Sequence, residues 1–392
     1  MSRIPIGDFP LGAEEREALQ RVIDSGRISE GPEVRAFEDE FAAWVGSKHC
    51  VVVSSGTAAL MVGLRALTVC GRYPTLTEGA RVLIPALTFA ATANAVQLAG
   101  FRVLFGDVDP ETMCLTPQAV ADEFTSIILP VHLMGYSADM GGIRKAAGRA
   151  VVVEDAAEAH GTRIADRKAG TLGTWGAFSF YIAHTIQAGE MGALVTDDVE
   201  IATAARRLKA HGRLCACRKC VRAQGKCPHL VDGDPRFTHL YPGYNFKAME
   251  FQAALARVQL GHVEENMEQR AGNELRLWRG LEELESEMLI EPHYIQAGSV
   301  LMAYPVVLTR KGIRNRVLFE LEGRGVECRP LFGCLPTQQP AFAQHHQASS
   351  SFPVAEHLGA DGFYVGCHQY LSEGQMDDVA RAIVEVVKEA SA

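Results

Sequence analysis

The chain has 392 residues, 47% hydrophobic, 22% charged and 7% aromatic, with a net charge of −9. This ordinary globular composition excludes a disordered or fibrous chain, and the acidic balance with no long Lys/Arg run argues against nucleic acid or an anionic membrane as partner. No apolar run is long enough to span a bilayer, and the N-terminal MSRIPIGDFPLGAEERE lacks a signal sequence's apolar core, so a cytoplasmic protein of two or three domains is expected.

From about residue 50 the chain alternates short apolar, β-branched runs with helical stretches. CVVVSS (50–55), RVLIP (81–85), RVLFGDVD (102–109), SIILPVHL (126–133), AVVVEDAA (150–157), GAFSFY (176–181) and GALVTD (192–197) read as buried strands. Residues 57–67 and 91–100 carry apolar positions at helical spacing. The pattern predicts an α/β domain, residues 1–248, whose mostly parallel sheet has helices on both faces. A helix is expected over 198–212, then an aperiodic loop over 213–240. From 249 to 392 a smaller α+β domain is expected. It holds helices at 249–270, 314–325 and 374–389 and strands at 299–309 and 326–331.

Three segments carry chemistry. SSGTAAL (54–60) joins a strand to a helix start, where backbone N–H groups attract an anion and Gly56 permits its close approach. The plainer reading is a capped helix with Thr57 near its N-terminus. In VVVEDAAEAHG (151–161), Asp155 ends a buried strand, where open α/β sheets bind ligands and a carboxylate can meet a heterocycle's ring N–H⁺. Finally, four of the ten cysteines, Cys215, Cys217, Cys220 and Cys227, fall within thirteen residues. In a reducing compartment such a cluster points to a metal, and the spacing leaves structural zinc and iron–sulfur both open.

The motifs SGTAAL, TFAATANA (88–95), EDAAEAHG, SFYIAH (179–184), GEMG (189–192) and GYNFKAMEFQAA (243–254) occur in one order along the chain. In that order the sequence resembles the DegT/DnrJ/StrS sugar aminotransferases, pyridoxal-phosphate (PLP) enzymes of fold type I. The resemblance implies roles residue by residue. Gly56, Thr57 and Ser179 would cradle the cofactor phosphate, and Phe89 would stack on the pyridine ring. Asp155 would pair with the ring nitrogen and keep the ring an electron sink. Glu158 stands where the aminotransferases usually carry Gln near the cofactor's O3′. Asn245 would reach the phosphate of a neighbouring subunit, which implies a homodimer with shared active sites.

One position departs. Where the aminotransferases carry the lysine that binds the cofactor covalently, this chain has His184, and the nearest lysines, Lys168 and Lys209, are out of register. Imidazole cannot form a stable imine. This exchange resembles the deoxysugar 3-dehydrases of the family, which use the amine form, pyridoxamine phosphate (PMP), with histidine as base. The resemblance implies a keto-sugar substrate and C3 deoxygenation. Net deoxygenation needs two electrons, so the cysteines would hold a 2Fe–2S cluster fed by a ferredoxin- or flavin-type reductase. The alternatives are a non-reductive 3-dehydratase with a structural zinc site and a non-catalytic cofactor-binding homologue. His160, Tyr181, Arg329 and His368 are unranked candidates for substrate contact.

Overall fold

The apolar runs become strands that share one continuous surface. The structure is a computed structural model and describes residues 3–218, 221–229, 234–345 and 351–392. Arg102–Gly106, Arg81–Pro85, Ile127–Ile128 and Val151–Val152 lie side by side, all parallel. The chain continues through Val153 into Glu154–Asp155, which begins a second set with Gly176–Ser179, Gly192–Thr196 and His49–Val53. Glu154–Asp155 pairs in parallel with Gly176–Ser179. Gly192–Thr196 is antiparallel to both its neighbours. Its orientation follows from the connection. Residues 180–191 form a loop rather than a crossover helix, so the chain must return in the opposite direction. That returning loop carries His184. The fold type I arrangement is present, mostly parallel with this antiparallel exception.

Helices cover the sheet. Gly56–Val69 is buried along most of its length, with Leu60, Leu64 and Leu67 at 2% exposure or less. Two N-terminal helices, Ala13–Ser25 and Pro32–Val45, were not anticipated. In the second, Phe37 and Phe41 meet Phe180 edge-on at 5.1 and 5.2 Å between ring centroids. Glu250 accepts hydrogen bonds from the backbone N–H groups of Gly31, Glu33 and Val34, capping that helix from a distant part of the chain.

The helix expected over 249–270 is two helices, Glu250–Gly261 and Val263–Ser286, broken at His262. The first packs Ala253 and Ala256 into the same apolar cluster as Val34 and Phe37. The smaller sheet is antiparallel, in the order Ala303–Val307, Gly362–Gly366, Cys328–Pro330. Gly362–Gly366 was not anticipated, because its terminal glycines leave an apolar run of only three residues. Ile4 pairs with Val326, so the first described residues lie against this smaller unit.

Candidate active site

A cavity of about 400 Å³ opens where the parallel strands end. Gly56, Thr57, Phe89, Asp155, Glu158, Ser179 and His184 all line it, although up to 128 residues separate them in sequence. Met302, Phe332 and Tyr364 close it from the smaller unit. A larger depression, about 560 Å³, includes Arg72, Trp175 and Asp197. It lies at the opposite end of the strands, lined by Trp175, Thr196 and Asp197.

The anion cradle is built from both readings of the first motif. The Ser55 hydroxyl caps the helix by accepting from the Ala58 N–H at 3.1 Å. The N-terminus at Gly56 and Thr57 then faces the cavity beside Ser179. A Cβ on residue 56 would come within 2.7 Å of Ser179 Cβ, so glycine is required for this approach. Phe89 stands at the mouth, 57% exposed, with its ring edge-on to Phe332 at 5.7 Å. An exposed aromatic over a polar cradle is a surface on which a flat ring can stack.

Asp155 is 4% exposed. The Thr92 hydroxyl donates to its Oδ2 at 2.8 Å and the Ala157 N–H to its Oδ1 at 3.2 Å. Burial raises its pKa, and these two hydrogen bonds and nearby His132 oppose the rise. A buried carboxylate with so little compensating charge favours a cationic N–H⁺ partner. Behind it, Glu154 accepts from His132 Nε2 at 3.0 Å and from the Gly170 and Leu172 N–H groups at 2.9 and 2.6 Å. This holds the strand end in place.

Glu158 Oε2 accepts from the Met134 N–H at 2.7 Å. Burial, reinforced by Asp155, pushes its carboxyl up to about 8. At neutral pH it is therefore largely protonated and can donate a hydrogen bond, as the amide of Gln would. The residues present thus fit a phosphorylated pyridine cofactor.

His184 is 7% exposed, and its Nδ1 is buried with no hydrogen-bond partner. Burial, and then the Arg270 guanidinium, lower its pKa to about 3, so the ring is neutral near pH 7. Arg270 is fully buried and donates to the carbonyls of Ala183 and His184 at 3.3 and 3.1 Å. It also donates to Met302 O at 2.8 Å, tying the His184 loop to the smaller unit. His160 packs behind His184, with ring centroids 5.8 Å apart, and stacks on Phe180 at 5.3 Å. Its place is structural.

No lysine lines the cavity among the described residues. Lys168 donates to Trp44 O at 2.5 Å and sits over the Trp44 ring. Lys209 donates to Val52 O at 2.8 Å and pairs with Glu30 at 2.9 Å. Of the unranked candidates, Tyr181 lines the cavity. Arg329 pairs instead with Glu322 and Glu327, and His368 Nε2 lies 3.2 Å from Pro5 O. Sequence reasoning missed Thr92, Glu190, Phe332 and Tyr364. Thr92 and Glu190 had a signal, since each lies inside a quoted motif, TFAATANA and GEMG, whereas Phe332 and Tyr364 sit in no pattern that marks them.

Asn245 does not line the cavity. It is exposed, bridges to Ala210 and accepts from Lys247 Nζ.

Two of the four expected thiols gather with an imidazole among the described residues. Donor atoms of Cys215, Cys217 and His229 all lie within 4.8 Å of one another. Cys227 is outside this group among the described residues, and Cys220 lies outside the described residues. Among the described residues the gathered donors are two thiols and an imidazole. The sequence reading counted cysteines alone and passed over a histidine two residues beyond Cys227.

No helix among the described residues is long and apolar enough to cross a membrane. Residues 10–384 match the DegT/DnrJ/EryC1/StrS aminotransferase family. GDP-perosamine synthase of Caulobacter vibrioides is 30% identical over 396 residues, covering 99% of each chain. GDP-4-keto-6-deoxy-D-mannose 3-dehydratase of Yersinia pseudotuberculosis is 28% identical over 378 residues, covering 94% of this chain and 95% of that protein. The Escherichia coli GDP-4-keto-6-deoxy-D-mannose 3-dehydratase, solved with bound hydrated PLP, superposes with a TM-score of 0.87. It is 26% identical and covers 98% of this chain and 100% of that one.

Proposed function

Because the chain belongs to the DegT/DnrJ/EryC1/StrS aminotransferase family, whose fold serves PLP enzymes acting on sugars, we propose that it is a PMP-dependent 3-dehydratase of a 4-keto-6-deoxy nucleotide sugar or similar keto-sugar. His184 carries the proposal. An imidazole occupies the lysine's place, and the two nearest lysines are engaged elsewhere. Ordinary amino transfer of the kind a perosamine synthase performs needs that lysine.

Bound PMP would supply an amine that condenses with the keto group and a ring that accepts electron density when a proton is removed. Gly56, Thr57 and Ser179 would bind its phosphate, Phe89 its ring face, Asp155 its ring N–H⁺, and neutral Glu158 would donate towards its ring oxygen. His184 would take the proton from C4′ and deliver it to the departing hydroxyl, which leaves as water. The exposed position of Asn245 outside its own cavity supports a homodimer in which it serves the partner's site.

Two versions of this chemistry differ in their electrons. In the reductive version a 2Fe–2S cluster on Cys215, Cys217, Cys220 and Cys227 passes electrons from a ferredoxin- or flavin-type reductase. The run of four cysteines supports it. In the non-reductive version the electron pair that expels the hydroxyl would come from the C4′–H bond of PMP itself, an amine donor rather than a reductase would restore the PMP, and the loop would hold a redox-inert metal. The gathered Cys215, Cys217 and His229 group supports this version, and we adopt it.

The test is direct. Protein, PMP and a GDP-linked 4-keto-6-deoxyhexose should release one hydroxyl as water without any reductase, followed by mass spectrometry of the sugar. Amine transfer to the sugar as the main outcome, or no turnover of any keto-sugar, would refute the proposal.

A further inference from the structure

We propose that the loop over residues 213–240 is stapled by a single zinc ion held by Cys215, Cys217 and His229, with water in its fourth tetrahedral position. This names the metal of the non-reductive reading adopted above and rests on the same group, but its metal test is separate from any test of turnover. The first argument is spacing. Around one tetrahedral zinc, with Zn–S about 2.3 Å and Zn–N about 2.0 Å, two sulfurs lie roughly 3.8 Å apart and a sulfur and a nitrogen roughly 3.5 Å apart. Cys217 Sγ lies 3.8 Å from His229 Nε2, and the three donor atoms are all within 4.8 Å. They are close enough together to share one ion, whereas a 2Fe–2S cluster spreads its ligands over two irons. Thiolate and imidazole together are also the donor set zinc prefers.

The second argument is the loop's need for a cross-link. Its base is closed by backbone hydrogen bonds, Leu214 N–H to Thr238 O and Leu240 N–H to Gly212 O, both 2.8 Å. Beyond the base, its described residues form no β-strand or α-helix. Phe237 is 73% exposed rather than packed. The Arg222–Asp234–Arg236 ion pairs face solvent and hold little. One metal would join residues 215–217 to residue 229, closing the outer part of the loop on itself. Arg218, next to Cys217, then fixes that point to the large domain through Asp39 at 2.7 Å and the Arg35 carbonyl at 2.8 Å. Zinc has no redox chemistry, so the site would shape the loop without carrying electrons.

The experiment uses the full chain, purified anaerobically without chelators, with zinc, iron and acid-labile sulfide measured. About one zinc per chain and no sulfide are expected. Cys217→Ser and His229→Ala should lose the metal at least roughly tenfold, while Cys227→Ser keeps it. Cobalt added to the apo protein should give the intense visible bands of a tetrahedral thiolate site, a readout that needs no variant to fold. Chelation should increase tryptic cleavage within the loop at least roughly tenfold while far-UV circular dichroism stays unchanged. Iron with matching sulfide, metal retained by His229→Ala, metal lost by Cys227→Ser, or no uptake of zinc or cobalt would each overturn the site.

Discussion

The cavity and the cysteine loop are held by different forces. The cavity sits on mostly buried strands, and buried hydrogen bonds fix the carboxylates in its wall, Asp155 through Thr92 and Glu158 through the Met134 N–H. The loop's described residues are mostly polar and about half exposed, and little beyond Arg218–Asp39 ties them to the large domain. A site of the first kind is preorganised by the fold whether or not its ligand is present. A site of the second kind depends on its ligand for its shape. The two regions should therefore respond in opposite ways to the same class of change.

The largest effect should come from the cavity. His184→Asn keeps the size of the ring while removing the base, so hydroxyl release should fall roughly 10²–10⁴-fold. PMP binding and thermal stability should hardly change. His184→Lys should gain what the wild type lacks, a covalent attachment of PLP that borohydride makes permanent. If His184→Asn releases water within tenfold of the wild-type rate, the proton is handled by another group.

The next contrast is in stability. Phe41 is fully buried against Phe37, Phe178 and Phe180. Phe41→Ala should cost about 3–5 kcal/mol, read from urea unfolding. The same measurement on Cys217→Ser should move by less than about 1 kcal/mol, because no core residue depends on the loop. Equal losses from the two changes would mean that the loop is part of the folding core.

The two regions were also unequally legible in the sequence. Strand after strand of the large sheet announces itself through β-branched runs, and Asp155 is marked by standing at the end of one. The direction of Gly192–Thr196 is not written in its composition. It depends on whether the preceding segment forms a crossover helix, and residues 180–191 do not. Phe332 and Tyr364 reach the cavity from a unit far along the chain, so no local pattern could assign them. Arg270 looks like one more charge on a polar helix. Only the structure shows it fully buried and clamped on the His184 loop. His229 was missed because donors in an aperiodic loop meet by loop geometry, which spacing does not determine.

A smaller effect should separate Glu158 from the neutral Gln of the aminotransferases. Its carboxyl titrates near 8 in the folded cavity and near the ordinary 4.5 when unfolded. The folded state thus holds the proton over a window where the unfolded state has lost it. That contribution is full below about pH 4.5 and is lost as pH rises towards 8. In cofactor-free protein, Glu158→Gln should keep the bond from Met134 and lack this loss. Its stability relative to wild type should rise by roughly 1–4 kcal/mol between pH 5 and 8, seen as a growing difference in Tm. Parallel pH profiles for the two proteins would show that Glu158 is already ionised in the cavity.

The smallest global effect belongs to the loop's anchor. Arg218 is about one-third exposed at the side chain and reaches Asp39, Glu38 and the Arg35 carbonyl. Asp39 holds the Arg218 pKa above its ordinary value, but solvent screens such a pair. Arg218→Ala should therefore change overall stability by less than about 1 kcal/mol. The local consequence should be larger than the global one. Amide hydrogens of residues 213–217 should exchange faster by hydrogen-exchange mass spectrometry, while those of the strand His49–Val53 keep their protection. Zinc should restore part of the loop's protection even in this variant, since the metal closes the loop on itself and Arg218 only fastens it to the helix beneath. If the strand loosens together with the loop, the anchor is supporting the sheet, and the contrast between a preorganised cavity and a ligand-shaped loop fails.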